Sequence, residues 1–315
     1  MKEQSSVITP ARTALSRAGL WWGFLGVAAF SFTLPFTRIA VGGLSPLFIG
    51  SGRAVVAAAL AAIALAATRQ HPPTRVQWWR LAIVAGGVVA GFPILTSFAM
   101  TAAPASHGAV VIGLLPAATA VIVVLRTRER PGRAFWWFAA LGAITAVVFA
   151  SLQNGDLGAL HWADLLLFAA VLAAAVGYAE GGLLARELGA WQTVSWALVL
   201  AAPLMLVLTL ASAVADPPTA SPVQWLAFAY LAVVSMFLGF FAWYRGLAIG
   251  PMAPVSQIQL VQPVMSIAWA ALLLHEQIGW PTALGGLAVI VCAALAVRTR
   301  LIYPRPTTRP LNEES

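Results

Sequence analysis

Long runs of apolar residues, separated by short polar connections, are the feature that most constrains the fold of this chain. A hydrocarbon core of about 30 Å needs about 20 apolar residues to be crossed by a helix, and in lipid only helices or closed barrels satisfy the backbone hydrogen bonds. Because the runs are continuous, they predict helices. We therefore predict an all-α integral membrane protein with ten transmembrane helices, at Gly19–Val41, Pro46–Ala67, Trp78–Met100, Ala105–Leu125, Ala134–Ser151, Trp162–Leu184, Ala190–Ala213, Val223–Tyr244, Ala253–Leu274 and Pro281–Val297.

The composition excludes the other broad classes of protein. Charged residues make up 9% of the chain, against roughly 25% in an average soluble protein, and the mean hydropathy is +0.87. That leaves too little polar surface for a soluble globule, and the same hydrophobicity excludes disorder. Cys292 is the single cysteine, so a disulfide-stabilised secreted module is excluded as well.

The basic residues fall on alternate connections between the predicted helices. Lys and Arg near helix ends favour the cytoplasmic side of a membrane. One set of connections holds only Arg38 and Arg53, while the other set and the two termini hold the remaining 16 of the 18 basic residues. The distribution predicts a multi-pass protein of the cytoplasmic (inner) membrane with both termini cytoplasmic, which agrees with an even number of helices. The net charge of +8 is dispersed in this way, so a nucleic-acid partner is not expected.

An internal repeat divides the chain into two halves of five helices. Shifting the sequence by 147 positions aligns four features of the first half with the second: Gln77–Trp78 with Gln224–Trp225, Pro104 with Pro251, Pro116 with Pro263, and Glu129 with Glu276. Because five is an odd number, the second copy must cross the membrane in the opposite sense. Inverted repeats of this kind are typical of secondary transporters, which bind substrate near the midplane between the two halves. Residues 19–151 and 162–297 form the predicted repeats, and residues 1–18 and 298–315 form cytoplasmic tails.

Each half resembles an EamA domain of the drug/metabolite transporter superfamily. The resemblance is carried by the aromatic and glycine-rich start of the first helix (Trp21, Trp22, Gly23, Gly26), by the proline of the fourth helix in each half, and by the glutamates that precede the last helix of each half. It extends over Gly19 to Val297. The resemblance implies a ten-helix carrier that moves small metabolites outward, commonly amino acids or related compounds. It also implies a central cavity lined by the first, third, fourth, sixth, eighth and ninth helices.

Glu180 is the acidic residue that topology explains least, because it lies inside the sixth predicted helix. Ionisable groups within the membrane are costly and are treated as functional hypotheses. Its carboxylate is predicted either to face the cavity, where it would meet a substrate ammonium or take a proton, or to pair with an arginine near the cytoplasmic end, such as Arg245. Thr33 occupies the equivalent position of the first repeat and is a further candidate.

Two other groups of side chains could line the cavity. Ser256, Gln259, Gln262 and Ser266 follow one another at helical spacing in the ninth helix, so they share a face, and they could either bind a polar substrate or join helices. Aromatic side chains form the second group, which could equally face lipid. Its members are Tyr178 in the sixth helix and Phe237, Phe241 and Tyr244 on one face of the eighth helix.

Three residues are candidates for an outer gate. Arg38 and Arg53, the exceptions to the charge rule, are predicted near the outer mouth, where they could attract carboxylates, seal the gate or contact headgroups. His107 opens the fourth helix and could accept a proton there or be an ordinary interfacial histidine. Glu129 and Glu276 are interpreted as structural, because a carboxylate in a connection favours a helix N-terminus.

Other functions have less support in the sequence. An intramembrane enzyme would need metal ligands or a nucleophile with its base, but the four histidines are scattered. Without a P-loop, neither ATP-driven transport by this chain nor an ATPase subunit is implied, and a channel would need rings of like residues. The sequence thus predicts a secondary transporter of a small molecule in the lipid bilayer, with no metal or cofactor and with a monomer sufficient for the pathway. The main alternative is an exporter of lipophilic or quaternary ammonium cations.

Overall fold

The computed structural model describes residues 17–128, 130–153, 161–249 and 258–302. Within these ranges nine helices are long and apolar enough to cross a membrane, and one shorter apolar helix is Val261–Leu274. The all-α fold with ten membrane helices in two inverted five-helix repeats is thereby confirmed.

The helices are α1 (Arg17–Ser31 and Thr33–Ala40), α2 (Pro46–Ala67), α3 (Arg75–Val84, Ala85–Gly91 and Phe92–Ala99), α4 (Ala105–Ile112 and Leu115–Thr127), α5 (Arg133–Gln153), α6 (Trp162–Leu188), α7 (Ala190–Ala215), α8 (Pro222–Ala229, Tyr230–Leu238 and Gly239–Ile249), α9 (Val261–Leu274) and α10 (Trp280–Ile302).

The two repeats share local details that the alignment of prolines and glutamates did not include. Thr74 with Gln77 forms a capping box at the start of α3, and Ser221 with Gln224 forms the equivalent box at the start of α8. In such a box the two residues satisfy backbone donors that the first helical turn leaves free. After α4 and α9 the chain turns through left-handed residues with φ near 55°, at Arg128 and His275, which are also 147 positions apart.

Four helices are irregular at repeat-equivalent places. The central segments of α3 and α8, Ala85–Gly91 and Tyr230–Leu238, are π-helical, a form that often marks functional positions. The helix α4 is interrupted at 113–114, shortly before Pro116, and α9 begins after a turn at 259–260, shortly before Pro263, because proline cannot donate a backbone hydrogen bond and clashes with the preceding turn. The helix α1 is interrupted at Phe32, whereas its counterpart α6 is continuous.

The helices pack in pairs that respect the repeat. In two of these pairs equivalent helices meet, α2 with α7 and α5 with α10. The other two pairs are related by the repeat, α1 with α8 and α6 with α3. Glycines allow the close approach: a Cβ on Gly26 would lie 2.8 Å from the backbone nitrogen of Trp243, and a Cβ on Gly177 would lie 2.8 Å from Val88. Small residues at helix contacts are the usual way in which membrane helices pack closely.

The contacts between helix ends define two faces. We use "arginine-rich face" for the end that carries Arg75, Arg126, Arg186, Arg245 and Arg298, and "opposite face" for the other end. Gln70 and Gln192 are hydrogen-bonded at the arginine-rich face, and Ser45 and Ser212 at the opposite face. The alternation of connections that the basic residues predicted is therefore the alternation that the helices have.

Candidate functional site

A small cavity of about 20 Å³ lies between the two repeats, near the middle of the helices that enclose it. The volume is enough for one water molecule, so a substrate would require the surrounding helices to move apart. The cavity is lined by helices α1, α2, α3, α4, α6, α8 and α9. Twelve side chains line it: Phe30, Thr33, Arg53, Val88, Phe92, Leu115, Ala174, Tyr178, Ser235, Met236, Phe240 and Gln262.

Arg53 is the one formally charged residue among the described residues that line this cavity. Its residue is 1% exposed, and the guanidinium nitrogens Nε and Nη1 have no hydrogen-bond partner in the described part of the chain. Burying a charge costs several kcal/mol unless partners compensate it. Arg53 is therefore a buried cation whose Nε and Nη1 donors are not compensated by the described residues.

The position of Arg53 differs from the predicted outer mouth. The helix α2 begins at Pro46, so Arg53 lies about 10 Å along the helix axis from that end. Sorting the basic residues by connection assigned Arg53 to the nearest loop and ignored this depth. The sequence does contain the signal, because the predicted helix also began at Pro46 and therefore already included Arg53.

Polar groups from both repeats face the cavity beside Arg53. Thr33 Oγ1, next to the interruption of α1, is 2.8 Å from Ser235 Oγ in the π-helical segment of α8. Gln262 on α9 is buried, and its Oε1 has no hydrogen-bond partner among the described residues. The cavity thus presents free guanidinium donors on one helix and a free amide acceptor on another. A substrate with an anionic group and a hydrogen-bond donor would satisfy both.

Aromatic rings form much of the apolar wall. The rings of Phe30 and Phe240 are 4.8 Å apart between centroids, and those of Tyr178 and Phe240 are 5.8 Å apart. Four of the sequence-predicted candidates, Thr33, Arg53, Tyr178 and Gln262, are thus among the residues that line the cavity. Such a wall suits an apolar or aromatic part of a small molecule.

The predicted aromatic face of α8 lies outside the cavity. Phe241 stacks on Trp191 and Phe237 packs in the core between α8 and its neighbours, while Tyr244 is fully buried against Gly181. Ser235, Met236 and Phe240 face the cavity instead. The spacing of the three residues predicts a shared face but not the neighbour that this face meets, and here it packs against α6 and α7.

The polar stripe of α9 is divided by the structure. Gln262 lines the cavity, whereas Ser266 donates a hydrogen bond of 2.7 Å to the carbonyl oxygen of Ser31 and so joins α9 to α1. Gln259 is buried at the interruption before α9, and its Nε2 has no partner within the described ranges. Ser256 lies outside the described residues. The joining of helices is thus observed for Ser266, while substrate binding by Gln262 stays a prediction.

Glu180 does not line the cavity, and its carboxylate is bound by two arginines. Its carboxylate accepts hydrogen bonds from Arg80 Nε and, at 3.0 Å, from Arg126 Nε, and Arg80 also binds Glu187 at 2.5 Å. Of the two alternatives, the structure has the arginine-paired one, with different partners from Arg245, which lies over the ring of Trp22. The pairs cross between the repeats, because both arginines belong to the first repeat and both glutamates to the second.

Arg38 is at the opposite face, as predicted, but it binds backbone. Its Nη1 donates to the carbonyl oxygens of Met100 at 2.6 Å and Thr101 at 3.3 Å. A cation at a helix C-terminus is favourable because the last carbonyls lack helical partners. Arg38 therefore connects α1 to the end of α3 and does not reach the cavity.

A larger pocket of about 330 Å³ lies at the opposite face. His107 on α4 borders it, and its Nε2 is 2.6 Å from Asp164 Oδ1 on α6. Glu276 borders it as well, and its two carboxylate oxygens accept the backbone N–H groups of Ala105 and Ser106 at 2.8 and 2.9 Å. Glu276 thus stabilises the start of α4, in the other repeat, and not the helix that it precedes. Glu129, its counterpart, lies outside the described residues.

The described part of the chain contains no group of three or more histidine, cysteine or carboxylate side chains that could hold a metal ion. The polar groups of the central cavity are a guanidinium, an amide and hydroxyls. These groups bind anions and hydrogen-bond donors, and none is a preferred ligand of a transition metal.

Comparisons with known proteins agree with this architecture. The EamA-like transporter family matches residues 17–152 and 161–298, which are the two repeats. The chain is 44% identical over 276 residues to the uncharacterized transporter YdeK of Bacillus subtilis (strain 168), an alignment that covers 88% of this chain and 96% of that protein. A solved crystal structure of a protein shares the fold, with a TM-score of 0.61 and 18% identity over 90% of this chain and 98% of the solved chain.

Proposed function

Because the chain belongs to the EamA-like transporter family of membrane proteins, we propose that it is a secondary transporter for a small metabolite that carries a carboxylate group. The substrate is an amino acid or a related compound, and it moves outward through the central cavity by alternating access. In this proposal the protein lies in the cytoplasmic membrane with the arginine-rich face inside the cell.

The observation that carries the choice of substrate is the unpartnered guanidinium of Arg53. Arginine presents donors in a planar fork that matches a carboxylate. A substrate carboxylate in the cavity would supply both the negative charge and the hydrogen bonds that Nε and Nη1 lack. The free Oε1 of Gln262 suits a donor elsewhere on the same molecule, such as an amino group.

The alternative, an exporter of lipophilic cations, is less favourable for the same reason. A cation would enter an apolar cavity in which Arg53 is the one formal charge among the described lining residues, and like charges repel strongly where the dielectric constant is low. Glu180, the carboxylate that could have attracted a cation, is bound by Arg80 and Arg126.

Contacts at the two ends of the pathway fit alternation between two states. At the arginine-rich face, Arg80 and Arg126 of the first repeat hold Glu180 of the second. At the opposite face, His107 of the first repeat contacts Asp164 of the second. Rocking of the repeats about the cavity would separate one set of contacts while the other set remains, which is how inverted repeats give access from each side in turn.

Ligand-induced stabilisation of the purified protein tests the proposed substrate class. The panel contains amino acids, nucleosides, sugars and cationic dyes, with one matched series: L-phenylalanine, 3-phenylpropanoate, phenethylamine and tetraphenylphosphonium. A ligand that binds the folded state raises the melting temperature. We expect carboxylates to do so, and phenethylamine and tetraphenylphosphonium to have no effect.

Arg53→Gln is the decisive variant. Removing one partner of a buried charged pair costs about 2 to 5 kcal/mol, so carboxylate affinity should fall by a factor of roughly 30 or more. Arg245→Gln is the matched control, because that arginine is exposed and contacts Trp22. Stabilisation by tetraphenylphosphonium that survives Arg53→Gln would support the cation exporter instead. Efflux of the bound carboxylate from loaded proteoliposomes then tests the direction.

A further inference from the structure

The contact between His107 and Asp164 joins the two repeats at the opposite face. His107 is the third residue of α4 and Asp164 is the third residue of α6. The residues are 6% and 2% exposed, and Nε2 and Oδ1 are 2.6 Å apart. An imidazole and a carboxylate at this distance form a neutral hydrogen bond or, when the ring is protonated, an ion pair.

Imidazole is the group beside the pocket that can still take a proton. Asp164 Oδ2 accepts the backbone N–H of His161 at 2.9 Å, and both oxygens of Glu276 accept backbone N–H groups of α4. The Nδ1 atom of His107 makes no hydrogen bond within the described part of the chain, and its residue borders the pocket of about 330 Å³.

The charges around His107 oppose one another. Asp164 on α6 and Glu276 in the connection between α9 and α10 are the acidic groups at this pocket. The N-terminus of α4 carries partial positive charge, and Arg38 on α1, which binds the end of α3, is the neighbouring basic group. His161 borders the same pocket, His275 is exposed in the α9–α10 connection, and α5 contributes the uncharged ring of Phe149 at 5.1 Å. Asp164 has the largest effect because it is in direct contact.

An apolar layer lies next to this pair on α4. Gly108 follows His107, and a Cβ on it would lie 2.8 Å from Met100 Cε, 3.3 Å from Leu34 and 3.6 Å from Leu167. Those three side chains come from α3, α1 and α6 and are at most 3% exposed. Separating α4 from α6 at the opposite face would break the His107–Asp164 contact and open this layer.

We propose that His107 is a proton-binding site that controls access from the opposite face. A proton taken from the pocket by Nδ1 turns the hydrogen bond to Asp164 into an ion pair and holds α4 against α6. Loss of the proton weakens the contact and favours opening. This inference depends on the alternating access proposed above.

Cysteine accessibility measures the opening without a known substrate. In a Cys292→Ser background, Ser235→Cys reports the central cavity and Gln277→Cys, which is exposed beside the pocket, reports the opposite face itself. The probe is the membrane-impermeant reagent 2-sulfonatoethyl methanethiosulfonate. Sealed vesicles are used in the orientation in which Gln277→Cys reacts from outside, and the rate at Ser235→Cys is divided by the rate at Gln277→Cys at each pH.

We expect this relative rate to be at least fivefold lower at pH 5.5 than at pH 8. His107→Gln should make it independent of pH, and Asp164→Asn, which removes the ionic partner, should do the same. His275→Asn is the matched control: that exposed histidine has a left-handed backbone, which asparagine tolerates, and the pH dependence should persist.

Two results would overturn the proposal: a relative rate that is equal at both pH values in the reporter with native His107, or a pH dependence that survives His107→Gln. The first result is obtained with native His107 and Asp164, so it tests the proposal even if the variants at these positions do not fold. A cavity cysteine that reacts from neither face at any pH would contradict alternating access itself, and the proton-controlled gate with it. A relative rate that does not change with pH contradicts the gate at His107 but is compatible with alternating access.

Discussion

Glu180 Oε2, on α6 in the second repeat, accepts a hydrogen bond of 3.0 Å from Arg126 Nε at the end of α4 in the first repeat. The glutamate side chain is 4% exposed and the arginine side chain 54% exposed. Glu180 is therefore buried within the protein, whereas Arg126 lies at its surface. Arg80, which is 17% exposed, binds the other carboxylate oxygen and extends the contact to Glu187.

Glu180→Gln should destabilise the protein by about 1.5 to 3 kcal/mol, because the buried carboxylate accepts charge-assisted hydrogen bonds from Arg80 and Arg126 that an amide replaces only in part. Glu187→Gln removes the second partner of Arg80, but that carboxylate is 45% exposed, so the loss should stay within about 1 kcal/mol. Thermal unfolding midpoints in detergent compare the two variants. Equal midpoints would contradict the assignment of Glu180 as the centre of this cluster.

Two adjacent glycines of α6 should respond in opposite directions to alanine. A Cβ on Gly181 would overlap the hydroxyl of Tyr244, which is fully buried and cannot move aside, whereas a Cβ on Gly182 would meet no atom within 4 Å. Gly181→Ala should therefore lower stability by about 1 to 3 kcal/mol. Gly182→Ala should raise it by up to about 1 kcal/mol, since alanine is the better helix former.

The measurement for this pair is again the thermal midpoint, with cavity ligands absent. Because the two substitutions are identical and neighbouring, helix propensity and membrane depth are matched. A similar response of both variants would contradict the packing of Tyr244 against α6.

Glu276→Gln tests the cap that the second repeat provides for α4. The carboxylate accepts two N–H groups at the helix N-terminus, where a negative charge is favourable. An amide keeps one acceptor and loses the charge, so we expect a loss of about 1 kcal/mol. Gln277→Ala, an exposed neighbour in the same connection, should change the midpoint little. No effect of Glu276→Gln would contradict the capping role.

The two capping boxes give a test of the repeat. Thr74→Ala and Ser221→Ala should each cost about 1 kcal/mol, and the two losses should be similar because the boxes are equivalent. Thr127→Ala serves as the control, since that hydroxyl donates to the carbonyl oxygen of Val123 within the helix and caps nothing. A threefold difference between the two losses would contradict equivalent helix starts.

The fold was largely predictable because a membrane restricts the choices. Helix number and length follow from hydrocarbon thickness, and the offset of 147 that aligns the glutamates also aligns the capping boxes, the π-helical segments and the left-handed residues. The helices extend beyond the apolar runs: α3 begins at Arg75 and α6 ends at Leu188. Arg126, one of the partners of Glu180, lies in such an added turn, because α4 continues to Thr127 beyond the predicted end at Leu125.

The site was less predictable for three separate reasons. Glu180 binds Arg80 and Arg126, which are 100 and 54 positions away, and such pairs are set by helix packing. The spacing of Phe237, Phe241 and Tyr244 predicts a shared face of α8 but not the neighbour that this face meets. The depth of Arg53 could be read from the sequence, since it is an arginine well inside an apolar run, but sorting the charges by connection placed it at the outer mouth.

Arg53 also gives the empty and the loaded cavity different electrical properties. The empty site carries one positive charge, whereas the site with a bound carboxylate is neutral as a pair. Moving a full charge across a potential of 100 mV changes the free energy by about 2.3 kcal/mol. Displacement of Arg53 through the membrane field during rocking would therefore make the return of the empty carrier voltage-sensitive, while the step that carries a monocarboxylate substrate without other net charge would be indifferent to the membrane potential.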